Sequence, residues 1–208
     1  MANYSSKSFN DDENILKLID PVRNPSKTGN YRIRNIDRFV KDLELDGVKL
    51  NLNPEFQRGR VWNTDQQTKF MENVIRGLVS HETNIIRLND PTLARMNNNF
   101  YSDLSDLASE TICIDGLQRF TAMQMYMQKQ LKPFGLSFDE IESTYYGVIA
   151  KGITFTVSWY DFQFEADIIE FYEALNWGGT PHSESERIRI QPLKQNALKR
   201  KNEIFNRK

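Results

Sequence analysis

The chain has 208 residues, 39% of them hydrophobic and 26% charged, which is enough for one domain of ordinary size and too few for a multidomain assembly. Lys and Arg number 27 against 28 Asp and Glu, a formal net charge of −1, so the overall balance marks neither a nucleic-acid binder nor an acidic solvating chain, and any functional charge must be local. No apolar run approaches the roughly 20 residues that cross a bilayer, the polar segment Met1 to Ser8 lacks the apolar core of a secretory signal, and a single Cys makes no internal disulfide, which together predict a cytoplasmic protein with no membrane attachment.

In chain order, residues 1–30 mix Asn, Ser, Asp, Lys and Pro with one brief apolar cluster at Ile15, Leu16, Leu18 and Ile19, and read as a flexible arm. Ile36, Phe39, Val40 and Leu43 recur at helical spacing from Asn35 until Asp46-Gly47 stops the run, and Val48 to Leu52 reads as a short strand. Asn53 to Trp62 is too rich in turn formers and charge for a regular element. Thr64 with Gln67 three residues on predicts the start of a helix whose buried stripe is Phe70, Met71, Val74, Ile75 and Leu78. Asn84 to Leu88 is a second strand, and residues 89–110 form a long surface excursion without sustained period.

The clearest unit is Thr111 to Ile114 as a buried strand, Asp115-Gly116 as a tight turn, and a helix with Leu117, Phe120, Met123, Met127 and Leu131 on one face, ending before Pro133. From Ile153 to Trp159, apolar and hydroxyl residues alternate with period two, the mark of a strand with one buried face. Ile168, Tyr172 and Leu175 define a further helix that ends in Asn176-Trp-Gly-Gly-Thr-Pro181, and Ser183 to Glu186 has the capping-box pattern of another start. Residues 187–208 carry a net +7 against −8 for the rest of the chain, so Lys199, Arg200 and Lys201 are candidate nucleic-acid contacts, beside the plainer reading of a solvated helix end.

Three constellations carry chemistry. In Ile114-Asp-Gly-Leu-Gln-Arg119 a strand turns directly into a helix, leaving the first helical N–H groups open to an anion, with Arg119 in the first turn; Asp115 is placed to hold Mg2+ or orient a water and Gln118 to bond that water or a phosphate. The alternative is that Asp115 caps the helix and Arg119 pairs with a surface carboxylate. Asn53-Pro-Glu-Phe-Gln-Arg58, followed by Arg60 and Trp62, crowds guanidiniums beside a carboxylate and an amide, an arrangement suited to an anionic ligand or to local pairing, with Phe56 and Trp62 as core anchors. In Asn176-Trp-Gly-Gly-Thr-Pro181, two glycines after a helix have a sufficient structural reason as a cap and close-approach loop.

Together, Pro54-Glu-Phe-Gln57-Arg58-Gly-Arg-Val-Trp62, Asp115-Gly-Leu-Gln118-Arg119 and Asn176-Trp-Gly178-Gly179-Thr-Pro181 resemble, in order and wording, the hallmarks of the domain of unknown function 262 family, the ParB/sulfiredoxin-like domain of GmrSD, SspE and BrxU, over about residues 31–190. The first two segments also resemble phosphate-contacting boxes of the ParB nucleotide switch. The resemblance implies an α+β fold with a mixed sheet core and flanking helices and a nucleotide-binding domain at 31–190, which leaves 191–208 as the basic tail that the charge count marks. It implies nucleoside triphosphate as ligand or substrate, with Mg2+, in a protein tied to recognition of foreign DNA. Carried over residue by residue, Gln57, Arg58, Gly116 and Asn176 bind nucleotide, and Asp115, Gln118 and Arg119 are catalytic, Asp115 also as the metal ligand. Leu117 stands where the family has its first Gln, which weakens the expectation of hydrolysis more than that of binding. His182 replaces an apolar residue and reads as a surface side chain. The chain carries no nuclease motif, so endonuclease activity is not expected of it alone, and Cys113, inside the strand, reads as a core residue rather than a sulfiredoxin-type nucleophile. Three functions follow: a nucleotide-binding domain with nucleoside triphosphatase activity as the enzymatic expectation; a non-catalytic DNA-binding regulator using the basic tail; and a phage or defence-island protein that binds a host protein.

Overall fold

The computed structural model describes Ile15 and residues 23–45, 48–59, 61–93, 105–107, 110–147, 152–177 and 184–206. Five strands form one mixed sheet: β1 (Lys27–Arg32), β2 (Lys49–Asn51), β3 (Ile85–Asn89), β4 (Glu110–Asp115) and β5 (Thr154–Tyr160), in the order β1-β5-β3-β4-β2. The outer pair β1/β5 and the central pair β3/β4 are antiparallel, whereas β3/β5 and β2/β4 are parallel. Among the described residues six α-helices cover it: α1 (Ile36–Leu45), α2 (Thr64–Ile75), α3 (Leu117–Met127), α4 (Phe138–Glu142), α5 (Glu165–Trp177) and α6 (Glu184–Asn206). The α+β class expected from the sequence is what forms.

Alternation along the central strands divides the apolar side chains between two cores. On β4, Cys113 joins a cluster with Ile36, Phe39, Met71, Phe120 and Met123 under α1 to α4, while Ile112 and Ile114 face a second cluster with Phe56, Ile168, Tyr172, Ile190 and Ala197 under α5 and α6. Burying each large apolar side chain contributes about 1.5–3 kcal/mol, so the sheet is held from both faces. Phe155, Val157 and Trp159 of β5 enter the first cluster as the period predicts. The opposite face of β5 is buried too: Thr156 and Ser158 are each 7% exposed, and the Thr156 hydroxyl lies 2.8 Å from both Asn30 Oδ1 and the His81 carbonyl. Hydroxyls tolerate this because neighbouring chain satisfies them.

Several boundaries differ from expectation. β1 begins at Lys27, inside the stretch read as an arm; its few apolar residues give no alternation, and it is a strand because the β5 edge supplies a complete antiparallel partner. Asn63, not Thr64, caps α2, with a full capping box to Gln66. Leu78 lies beyond the end of α2, after Gly77 at φ +77°, and is 71% exposed instead of buried. α3 ends at Met127 rather than before Pro133, with Lys129 in the left-handed region at φ 62° returning the chain so that Leu131 still reaches the core. Of the 89–110 excursion, Asn89 closes β3 and Glu110 opens β4; most of the rest lies outside the described residues, as do Arg60, His182, Ser183 and the Gly178 to Pro181 loop.

The C-terminal helix is continuous across position 191 and packs on α5 through Ile190 and Ala197. Its cations meet carboxylates there: Lys194 lies 2.7 Å from Glu173 and Lys201 2.5 Å from Asp167, and Arg200 pairs with Glu165. Arg200 and Lys201 thus face the acidic first turn of α5, while Lys199 is exposed. Three cations of the tail are thus matched by carboxylates of the body it packs against. No described helix is long and apolar enough to cross a membrane.

Candidate phosphate-binding basin

The described residues of the three constellations, each more than 50 residues from the next in the chain, meet at the C-terminal end of β4. A cavity of about 200 Å³ is lined by Gln57, Arg58, Trp62, Asp115 to Arg119, Tyr172 and Asn176. β4 stops at Asp115, and Gly116 turns the chain at φ +100° into α3 without a side-chain cap, so the Asp115 capping alternative does not hold. The first helical bond runs from the Phe120 N–H to the Gly116 carbonyl, which leaves the earlier N–H groups facing the basin end of the helix. A Cβ at Gly116 would lie 2.8 Å from Ile86 Cδ1 and 3.0 Å from the Ile85 carbonyl oxygen, so both the φ angle and the close approach to β3 require glycine there.

Asp115 Oδ2 accepts from Arg87 Nη1 at 2.7 Å and from Arg119 Nη2 at 2.9 Å, and Arg119 Nη2 also donates to the Ile85 carbonyl at 2.8 Å. Both guanidiniums are about a quarter exposed, and Arg119 Nε is buried with no hydrogen-bond partner among the described residues. Across the basin, Arg58 Nε lies 2.9 Å from Glu186 Oε1 of α6, and Arg58 also bonds the Tyr172 hydroxyl, whose pKa burial raises. Arg189 of α6 donates to the carbonyls of Glu55 and Phe56, fixing the loop from the other side. The cations Arg58, Arg87 and Arg119 face Asp115 and Glu186, leaving one positive charge in excess.

The two glutamines act as reciprocal braces. Gln57 Nε2 donates to the Cys113 carbonyl on β4, and Gln118, from the second constellation, donates to the Gly59 carbonyl and accepts from the Trp62 N–H in the first. Each loop therefore carries the amide that holds the other in register. Gln57→Leu, which keeps the volume and leaves the buried Cys113 carbonyl unpaired, is expected to lower unfolding free energy by about 1–3 kcal/mol, and Gln118→Ala by a similar amount. Denaturant unfolding of both single variants and the double variant measures this, and a less-than-additive double reports the shared loop contact.

Of the residues predicted from sequence, Asp115, Gly116, Gln118, Arg119, Gln57, Arg58 and Asn176 all line the one basin. Asn176 sits at the end of α5 and donates to the Tyr172 carbonyl. Gln57 and Gln118 are engaged as braces, and Lys199, Arg200 and Lys201 lie on α6 away from the lining. Leu117 is 3% exposed within the main core, so its side chain, where the family pattern has Gln, is a packing group. Sequence reasoning missed Arg87, Tyr172, Glu186 and Arg189. Arg87 has a signal, a lone cation between apolar residues of a central strand; the spacing marks Tyr172 only as an apolar helix position.

Burial pushes the Cys113 thiol up to about 12, and its side chain is fully buried as the core reading expects. A thiol held protonated is not a nucleophile. Native protein at pH 8 is accordingly expected to resist alkylation at Cys113, with labelling appearing only in denaturant; mass spectrometry of the labelled peptide checks it.

The family model described as the GmrSD restriction endonuclease N-terminal domain matches residues 38–193. The chain belongs to this family. The matched span contains all three constellations and both walls of the basin, and it places the domain among restriction- and defence-related proteins associated with DNA. No curated protein and no solved structure gave a match.

Proposed function

We propose that the basin binds the phosphate chain of a nucleoside triphosphate, and that this GmrSD-type domain serves restriction of, or defence against, foreign DNA in a nucleotide-dependent manner. One observation carries the reading: Arg119, with a buried Nε that has no described partner, stands at the uncapped entry of α3 beside Arg87, with Arg58 on the facing loop. Guanidiniums and helix N–H groups are what a phosphate oxygen bonds. At about 200 Å³ the cavity is smaller than the roughly 300–1,000 Å³ of sites that enclose a whole small molecule, which suits enclosure of phosphates with sugar and base outside.

The donor set fits a protein-held Mg2+ poorly. Asp115 is the carboxylate at the floor, its Oδ2 is shared by two guanidiniums, and no group of three or more His, Cys, Asp or Glu able to hold a metal occurs among the described residues. Magnesium in this reading enters with the triphosphate, and no step of binding depends on it. The geometry favours binding over hydrolysis, because Gln118 spends its amide on Gly59 and Trp62 instead of on a water. The DNA-binding regulator on the basic tail is supported less, since Arg200 and Lys201 are paired with α5.

The test is a melting-temperature screen against the four ribonucleoside triphosphates, with and without magnesium, because a ligand in excess stabilises the state that binds it. Phosphate release measured alongside separates hydrolysis from binding. No stabilisation by any triphosphate would overturn the reading.

A further inference from the structure

A second groove, of about 570 Å³, runs along the β1 edge of the sheet and the start of α1 and shares no lining residue with the basin. Lys27, Arg32 and Arg38 rim it, and Tyr31, Phe39 and Trp159 line it beneath. All three cations are exposed, Arg38 to 81% of its side chain. Among the described residues neither Lys27 nor Arg32 meets a carboxylate. The groove also holds two carboxylates: Asp42 lies 3.5 Å from Arg38 in an exposed pair that a bound phosphate can replace, and Asp90 Oδ1 accepts from the Thr92 N–H and hydroxyl at 2.9 and 2.6 Å. Trp159, 6% exposed, has an indole N–H that is buried without an acceptor among the described residues.

We infer that this groove is a DNA-contact surface, in which Lys27, Arg32 and Arg38 meet consecutive phosphates. The inference rests on the DNA-associated part of the proposed function and is independent of the triphosphate basin. Three cations spaced along an edge strand and the helix that follows it match a linear polyanion better than a single small anion. Neutralising Z phosphates makes log K fall with log salt at a slope of about −0.9Z, so three contacts account for a slope of about −2.7. On the basic C-terminal helix Lys194, Arg200 and Lys201 pair with carboxylates of α5 at less exposed positions than Arg38, which makes that helix the less favoured contact surface.

The experiment is fluorescence anisotropy of a labelled DNA duplex across a salt series with the full chain. The Lys27→Ala/Arg32→Ala/Arg38→Ala variant is expected to bind at least tenfold more weakly, with a salt slope shallower by two to three, while Arg200→Ala/Lys201→Ala stays within twofold of wild type. Arg32→Ala alone, at an exposed position, is expected to weaken binding about threefold and guards against a folding failure of the triple variant. The triphosphate melting shift, read on the same proteins, is expected to be unchanged, so failure here and failure of the basin reading are told apart. Absence of wild-type binding at low salt, or groove variants that bind within twofold of wild type with the same slope, would overturn the inference.

Discussion

Arg119→Ala is expected to remove most of the stabilisation that a bound triphosphate confers. Arg119 is the cation joined to both the Asp115 carboxylate and the Ile85 carbonyl, so its guanidinium is held in one orientation before any ligand arrives. Truncating a hydrogen-bonded charge partner of a partly buried ion costs about 2–5 kcal/mol, which is a loss of affinity of at least about 30-fold. At a ligand concentration 100 times the wild-type Kd, stabilisation is about 2.7 kcal/mol, and a 30-fold weaker variant retains about 0.9 kcal/mol. Arg119→Lys keeps the charge and loses the planar fork, and falls between the two. The apo variant should remain folded, because Arg87 still holds Asp115 at 2.7 Å. A triphosphate shift of wild-type size in Arg119→Ala would remove this residue from the binding site.

Gly116→Ala is expected to be the most destabilising single substitution of the basin. A left-handed conformation costs a residue with a Cβ about 1–2 kcal/mol, and overpacking adds about 1–3 kcal/mol. At φ +100° with Ile86 Cδ1 at 2.8 Å and two backbone atoms of β3 at 3.0 Å, both costs apply. A loss of about 2–5 kcal/mol corresponds to a fall in Tm of roughly 4–20 °C for a chain of this size. Ile86→Val removes the side-chain atom nearest the new Cβ and leaves the backbone contacts and the φ angle unchanged. The double variant should therefore recover part of the loss and no more, and a thermal unfolding series of the four proteins reads the coupling directly. Full recovery would assign the whole cost to the side-chain clash; none would assign it to the backbone.

The two expectations depend on different parts of the same turn, and the sequence was unequally informative about them. Asp115-Gly116 after a buried apolar run, followed by a helical stripe, specified the strand, the turn and the helix, because each depends on local periodicity and on glycine's freedom at positive φ. The burial of Phe120, Met123, Phe155 and Val157 followed from the same signals, whereas the α+β class came from the family resemblance. The pairing of Arg87 with Asp115 was not legible, because it depends on which strand lies beside β4 and in what register, and a bulge between Arg87 and Leu88 sets that register. β1 was read as an arm for a related reason: an edge strand with Lys27, Thr28, Gly29 and Asn30 draws its stability from the backbone of β5 rather than from its own side chains.

The glutamines show where motif wording stops. The family resemblance assigns Gln57 and Gln118 to nucleotide and catalysis; tertiary contact turns Gln57 toward the Cys113 carbonyl of β4 and Gln118 toward the Gly59 carbonyl, since a carbonyl near the sheet must find a donor. The basic tail is the same lesson in charge. Its net +7 is a property of composition, but whether those cations meet solvent, phosphates or carboxylates depends on the helix packed beside them, and α5 presents Glu165, Asp167 and Glu173. What the sequence determined by itself is local: the turn that opens a helix toward an anion, the amphipathic helices and the arginines of the motifs. What only the tertiary structure decided is which of those charges remain turned to a basin or a groove, because opposite charges and hydrogen-bonding groups distant in the chain neutralise one another only once the sheet has brought them together.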